Sequence, residues 1–310
     1  MANMLPLIET ALELGLICSL TTLALFLSYS MLNVCDLSTD GCFTLGACVG
    51  AVVAISGHPY LAIICAMAAG ILSGFITAFL QTMMGVDSLL AGIIVNTGLY
   101  SVNIAVMGNT SLLNMNKTET VFTKMQSLLQ GSIFGEYSKL IVVLIFVILV
   151  ALFLILFLKT RLGLAIRATG NNPDMVKSSS INPVFTTIIG LCVANAFTGL
   201  SGCLLAQSQK SVNTDLGSGM VTVALASLLI GRTFVKSRSI LLRLIGVVFG
   251  SFVFRLVYTI ALRFHMPAYM LKLVSSVIVV IAISGPYLKT KWPIIKRVLS
   301  SRGGNSNATD

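Results

Sequence analysis

Long apolar runs separated by short polar interruptions dominate the chain, and their lengths predict membrane-crossing helices. Such runs occupy roughly residues 11–30, 33–57, 60–82, 88–107, 140–158, 184–206, 244–262 and 270–287. A helix rising 1.5 Å per residue needs about 20 residues to cover a hydrocarbon core of about 30 Å. The 140–158 run is the plainest, with Val, Ile, Leu and Phe broken only by Ala151. Met220 to Ile230 is different, since about eleven helical residues cover only half that core. A broken or re-entrant element is predicted there, with Asn213, Asp215, Gly217 and Gly219 turned toward protein or water. The pattern as a whole predicts an all-α polytopic membrane protein of about nine crossings, some broken or re-entrant.

Polar residues inside these runs carry the next information. Asp36 and Asp40 precede a small-residue apolar stretch. They are costly against lipid, so they are placed at a helix terminus or against protein and water. Gly46 and Gly50 permit close helix packing, and Gly70 and Gly74 form a GxxxG pair that marks helix contact. Asn96 and Asn103 sit in one run and Asn195 in another, either as structural hydrogen-bonding groups or as solute contacts. Arg255 interrupts a later span, where insertion of an arginine costs about 2.5 to 3.5 kcal/mol, so it must pair, snorkel or face a hydrated interior. Asn96, Asn103, Asn195, Asn213, Asp215 and Arg255 form the candidate translocation path. Phe252, Phe254, Tyr258 and Phe264 form an aromatic cluster open to packing or to solute. Asp36-Leu37 and Asp215-Leu216, each followed by glycines and small apolar residues, suggest an internal duplication.

Composition agrees with this class. Hydrophobic residues make up 56% of the 310 residues and charged ones 10%, and the mean hydropathy is +0.97, outside the range of ordinary soluble domains. The net charge of +10 requires no nucleic acid, because the cations collect between apolar runs. Residues 159–183 carry +3, from Lys159, Arg161, Arg167 and Lys177 against Asp174, and residues 231–243 carry +4. A third basic stretch, Lys289, Lys291, Lys296, Arg297 and Arg302, follows the last run. The positive-inside rule puts all three in the cytoplasm, with the N-terminus outside and the C-terminus inside. Residues 1–287 are then the membrane domain and 288–310 a basic cytoplasmic tail. The polar connection 108–139, at only +1, lies outside, and its weak alternation fits a short surface helix. The seven cysteines lack metal-type spacing and are assigned to apolar packing. His265 has no ligand set around it and is placed at the interface. Glu9 and Glu13 stand where a signal peptide would be basic, so the first run is assigned as a span.

The stretch from Lys159 to Pro183 is more structured than a plain connection. RLGLAIRAT reads as one helix, and Asn172 can cap a second with Pro173 at its first position and Asp174 in its first turn. Asn182-Pro183 repeats the start signal. These features fit either a well-anchored cytoplasmic loop or a device that passes force to a soluble partner. No Walker loop, HExxH or GxSxG motif occurs in the chain. The chain is thus read as no enzyme, and a transporter of this kind needs an ATPase partner or an ion gradient. An ion-coupled secondary transporter and a non-transporting membrane scaffold or receptor both stay open on the residues alone.

Three segments together, NVCDLSTDGCFTLGA, RLGLAIRATGNNPDMVKSSSI and GLSGCLLAQSQKSVNTDLGSGMVTVALASLLIG, resemble the permease subunits of bacterial ABC importers. The resemblance is to the branched-chain amino-acid and simple-sugar permease superfamily, nearest its tryptophan/tyrosine-type or uncharacterised branch, over about residues 10 to 287. It implies a bacterial plasma-membrane protein paired with a second permease, in a homodimer or heterodimer, working by alternating access. Two cytoplasmic ATP-binding subunits would hold the ATP and Mg, with no cofactor on this chain, and an external solute-binding protein or lipoprotein would deliver the solute. Carried onto this sequence, the coupling motif falls on Gly163, Arg167, Ala168, Gly170 and Asn171, followed by the helix at Pro173 and Asp174. Aromatic amino acids, other hydrophobic amino acids and nucleosides are the solutes considered.

Overall fold

Helix α1 (Leu5–Leu25) runs on through a π-helical turn (Phe26–Met31) before the chain breaks at residues 32–38. The computed structural model describes residues 5–128, 137–235 and 239–263, with Met270, Leu273, residues 275–281 and Ser284 beyond them. After the break come α2 (Thr39–Ile55), α3 (Pro59–Thr82) and α4 (Ser88–Val106). A short strand β1 (Leu112–Asn114) and helix α5 (Val121–Leu128) lead to α6 (Ser138–Lys159). Helices α7 (Arg161–Asn171) and α8 (Pro173–Ser178) form the next connection. The described part closes with α9 (Pro183–Gln209), β2 (Ser211–Asn213), α10 (Met220–Phe234) and α11 (Ile240–Arg263). The all-α expectation holds apart from the antiparallel β1–β2 pair, in which Leu112 faces Asn213.

Helix α9 is the centre of the bundle. Residues 194–207 are buried without interruption, so this half of the helix is enclosed on all sides. Small side chains permit this enclosure, since helices approach closely only where no side chain stands between their backbones. A Cβ on Gly46 would collide with the carbonyl of Gly199, and one on Gly70 with the carbonyl of Asn195. The close packing expected at Gly46, Gly50, Gly70 and Gly74 is therefore a two-sided clasp of α9 by α2 and α3. Cys18, Cys42, Cys48 and Cys203 are buried in this interior and Cys35, Cys65 and Cys192 partly so, in line with a packing role. Outward, Ile64, Leu72, Ile94, Ile148 and Leu156 are exposed on α3, α4 and α6, an apolar rim matched to lipid chains.

The packing register also fixes where α2 begins. Cys42 Sγ donates to the Asn195 carbonyl at 3.4 Å, Gly46 lies against Gly199, and Gly50 against Cys203, so α2 runs parallel to α9. Asn195 lies about 18 Å along α9, and α2 consequently starts deep inside the bundle. At its far end, Gln207 Nε2 donates to the Pro59 carbonyl at 3.3 Å. Helix α10 starts at the same depth beside Asp40 and leads back into α11, where Gly231 packs on Gly246. The two short helices therefore leave the interior toward opposite faces, and the Asp36-Leu37 and Asp215-Leu216 motifs occupy the two breaks that precede them.

Six helices among the described residues are long and apolar enough to cross a membrane, and α2 and α10 are shorter apolar helices. The 108–139 connection is tied to the bundle through β1–β2 and through Val121, whose N–H donates to Gln207 Oε1 at 2.9 Å. Residues 129–136, most of the expected last span, Phe264, His265 and the basic tail 288–310 lie outside the described residues. Because α9 has no slack, Gly46→Leu is expected to lower the thermal unfolding midpoint of the detergent-solubilised protein by about 5 °C or more. Gly98→Ala, with nothing within 4 Å of the added Cβ, is expected to leave it unchanged, and a scan of both variants checks this.

Candidate functional site

The break before α2 is organised by two aspartates with different partners. Asp36 is 1% exposed. Its Oδ1 accepts from the Ser38 N–H at 2.8 Å and the Ser38 hydroxyl at 2.6 Å, closing the turn that starts α2. Its Oδ2 accepts from Asn195 Nδ2 at 2.7 Å, which ties the break to α9. Asp40, in the first turn of α2, reaches across to the start of α10 and accepts from the N–H groups of Gly219 at 2.9 Å and Val221 at 2.7 Å. A carboxylate at a helix start meets unpaired N–H groups and the positive end of the helix dipole. Thr44 joins the same contact by accepting from the Gly217 N–H at 3.1 Å. Both acids lie where the sequence places them, at helix termini and against protein.

A cavity of about 320 Å³ opens beside this contact, lined by Asp40, Thr44, Asn96, Tyr100, Asn103 and Asp215 among others. Asn103, 2% exposed, donates from Nδ2 to the Gly41 carbonyl at 3.3 Å, and its Oδ1 has no hydrogen-bond partner. A second cavity of about 400 Å³ shares Ser218 with the first and holds Arg255, Phe254 and Tyr258. Arg255 Nη2 donates to Cys18 Sγ at 3.1 Å, and the guanidinium carbon lies 5.1 Å from the Tyr258 ring centroid. The candidate path residues thus separate by place. Asn96, Asn103 and Asp215 share one cavity and Arg255 lines its neighbour, whereas Asn195 is sealed against Asp36 and Asn213 is exposed in β2. Tyr100 was missed by the sequence reading although its signal was present, since Asn96, Tyr100 and Asn103 follow the i, i+4, i+7 spacing of one helix face.

Residues 159–183 are capped at Asn172 and Asn182 as the Asn-Pro signals predict, with a further cap at Thr160. Thr160 Oγ1 accepts from the Gly163 N–H at 3.2 Å, and Asn172 Oδ1 accepts from the N–H groups of Asp174 and Met175, both at 3.1 Å. Asn182 Oδ1 does the same for Val184 at 3.0 Å. Gly163 and Gly170 pack on this chain's own backbone, against Phe157 and Met31 respectively. Thr169 and Thr186 share a hydrogen bond at 2.8 Å that binds α7 to α9. Arg167 and Ala168 are half-buried, and Asn171, Pro173 and Asp174 are exposed.

The chain matches the family model of the branched-chain amino acid transport system permease component over residues 7–283. It is 30% identical over 267 residues to the tyrosine transport system permease protein of Clostridioides difficile (strain R20291), covering 86% of each chain. It is 25% identical over 291 residues to the probable branched-chain amino acid transport permease protein LivH of Methanocaldococcus jannaschii, covering 91% of this chain and 82% of that one. Its likeness to the nucleoside ABC transporter permease protein NupB of Lactococcus lactis subsp. cremoris, 26% over 182 residues, spans about half of each. No solved structure matches the chain. With the family model covering most of its length and its apolar helices arranged as a membrane bundle, the chain belongs to the branched-chain amino acid transport system permease component family.

Proposed function

We propose that this chain carries an amino acid or similar small organic solute inward as one of two permeases in a homodimer, with two ATP-binding subunits below and a solute-binding protein or lipoprotein above. Family membership supports an ATP-driven permease that translocates and catalyses nothing itself, and it removes the ground for the ion-gradient and scaffold readings. ATP and Mg belong to the partner subunits. Residues 1–287 act as the membrane domain and 288–310 as a cytoplasmic tail. The chain sits in a bacterial plasma membrane with its N-terminus outside. The six long helices, the two short ones and the last apolar run make about nine crossings.

One observation carries the coupling role of residues 159–183. Helix α8 is capped by Asn172 and presents Met175 at 64% exposure, in a polar connection between two spans. An exposed apolar side chain on a capped helix offers a contact for a partner's groove. Gly170 rests on the end of the π-helical turn at Met31, and the break that follows leads directly to Asp36 and the start of α2. A push on α7 and α8 would therefore reach the cavities through backbone contacts. Gly163 and Gly170 keep α7 seated, and Arg167, Ala168, Asn171, Pro173 and Asp174 lie nearer the partner.

In proteoliposomes holding the whole transporter, Arg167→Ala combined with Asn171→Ala is expected to lower ATP-driven uptake about tenfold, through loss of charge-assisted contacts. Membrane insertion should stay unchanged, and full coupling in a fully assembled variant would remove the loop from this role. Orientation has its own measurement. With Cys35, Cys65 and Cys192 replaced by serine, an impermeant maleimide added to intact cells should label Ser127→Cys and spare Ser178→Cys; the reverse pattern would invert the topology.

A further inference from the structure

Helix α6 is tied to α9 near both of its ends and spaced from it in between. At one end α5 touches both helices, with the Val121 N–H on Gln207 Oε1 and Phe122 buried. At the other, Gly163 packs on Phe157 and Leu158, and the Thr169–Thr186 hydrogen bond binds α7 to α9. Between these ties lies a cavity of about 440 Å³, lined by Met67 and Ile71 from α3, Phe146 and Phe153 from α6, and Cys192 and Ala196 from α9, among others. Phe153 meets the Phe197 ring edge-on at 5.6 Å between centroids, so ring bulk holds α6 off α9 where Cys192 and Ala196 leave the floor low. Ile71, Leu149 and Ala196 stand within one residue of the midpoints of α3, α6 and α9. All three helices are long and apolar enough to span, so the cavity lies at the depth of the hydrocarbon centre.

Its chemistry restricts what can fill it. Among the described residues the lining side chains are hydrocarbon, thioether or thiol, with no charge, hydroxyl or amide. Such a cavity stays dry, because water there would lose its hydrogen bonds, and left void it would deprive its lining of contacts. It opens sideways, since Ile71 is 44%, Leu149 54% and Phe153 47% exposed, and hydrocarbon is what a membrane sets against those residues. The space takes on the order of fifteen methylene-sized groups at about 30 Å³ each, which is one acyl chain. A helix from a second copy fits less well, because a single turn, about 10–12 Å across and about 5.4 Å high, already fills on the order of 500 Å³. The last apolar run is placed elsewhere. Ser275 and Ser276 line the cavity beside Arg255, in which no residue of α3, α6 or α9 takes part.

We propose that one acyl chain of a bilayer phospholipid occupies this cavity as a fixed part of the bundle, wedged among α3, α6 and α9. The lipid site is separate from the transport reading and does not depend on it. The test uses the permease–ATPase complex in phospholipid nanodiscs doped with a phosphatidylcholine that carries a diazirine at the end of one acyl chain. After irradiation, cross-links to Phe146, Phe153 and Cys192 should exceed those to Ile148 and Leu152, exposed at the same depth on α6 but outside the cavity lining, by about tenfold, a preference of about 1.4 kcal/mol over bulk lipid. Val193→Phe, in the lining, puts a ring where the chain lies and should bring cavity labelling down to the level of Ile148. Stripping lipid in detergent should lower the wild-type unfolding midpoint by about 3 °C and adding phospholipid should restore it, whereas Val193→Phe should respond to neither. Equal labelling inside and outside the cavity in the wild type overturns the proposal, as does undiminished cavity labelling in folded Val193→Phe. Cross-links joining cavity residues to a second copy of this chain, or to another segment of it, in place of lipid overturn it as well. Should Val193→Phe fail to fold, the wild-type labelling ratio decides alone.

Discussion

The contact on which the rest of the structure depends is the backbone approach of α9 to α2 and α3. Gly46 against Gly199 and Gly70 against Asn195 leave room for no side chain, so the three helices lock in a single register. In a bilayer, where burial of apolar side chains away from lipid gains little, such packing and buried hydrogen bonds must hold helices together. The Asn195–Asp36 and Cys42–Asn195 bonds lie in the same seam. That register places the start of α2 well inside the bundle, and every polar feature of the interior follows from this placement.

A helix that starts inside a membrane protein exposes N–H groups where water is scarce, and each unpaired one is costly. The chain answers with carboxylates. Asp36 closes the turn into α2, and Asp40, projecting from α2, satisfies the start of α10. One side chain therefore joins the two short helices end to end in depth, and the cavities form beside that junction. Backbone N–H groups, two acids and an arginine are gathered where a continuous helix would have had only apolar surface.

The connection 159–183 belongs to the same construction. Its caps make α7 and α8 stiff, and Gly170 seats α7 on the last residue of the π-helical turn. Only a short break separates that contact from Asp36. Displacement of the segment therefore meets a chain of backbone contacts, with few flexible side chains to absorb it.

Much of this was legible in the order of residues. Run lengths located the long helices, and Asn172-Pro173 and Asn182-Pro183 marked helix starts to the residue, because capping is local chemistry. The shortness of Met220–Ile230 announced a broken element for the same reason. Partnership across the bundle was not legible. Asn96, Asn103, Asn195 and Asn213 look alike in the chain, and only tertiary packing puts two of them in a cavity, one against Asp36 and one in a strand. Sequence alone determined which long segments are helices and where α8 and α9 begin, through local periodicity and caps. Depth, register and the pairing of Asp40 with α10 were decided by the fold, because they depend on surfaces that meet across more than a hundred residues of intervening chain.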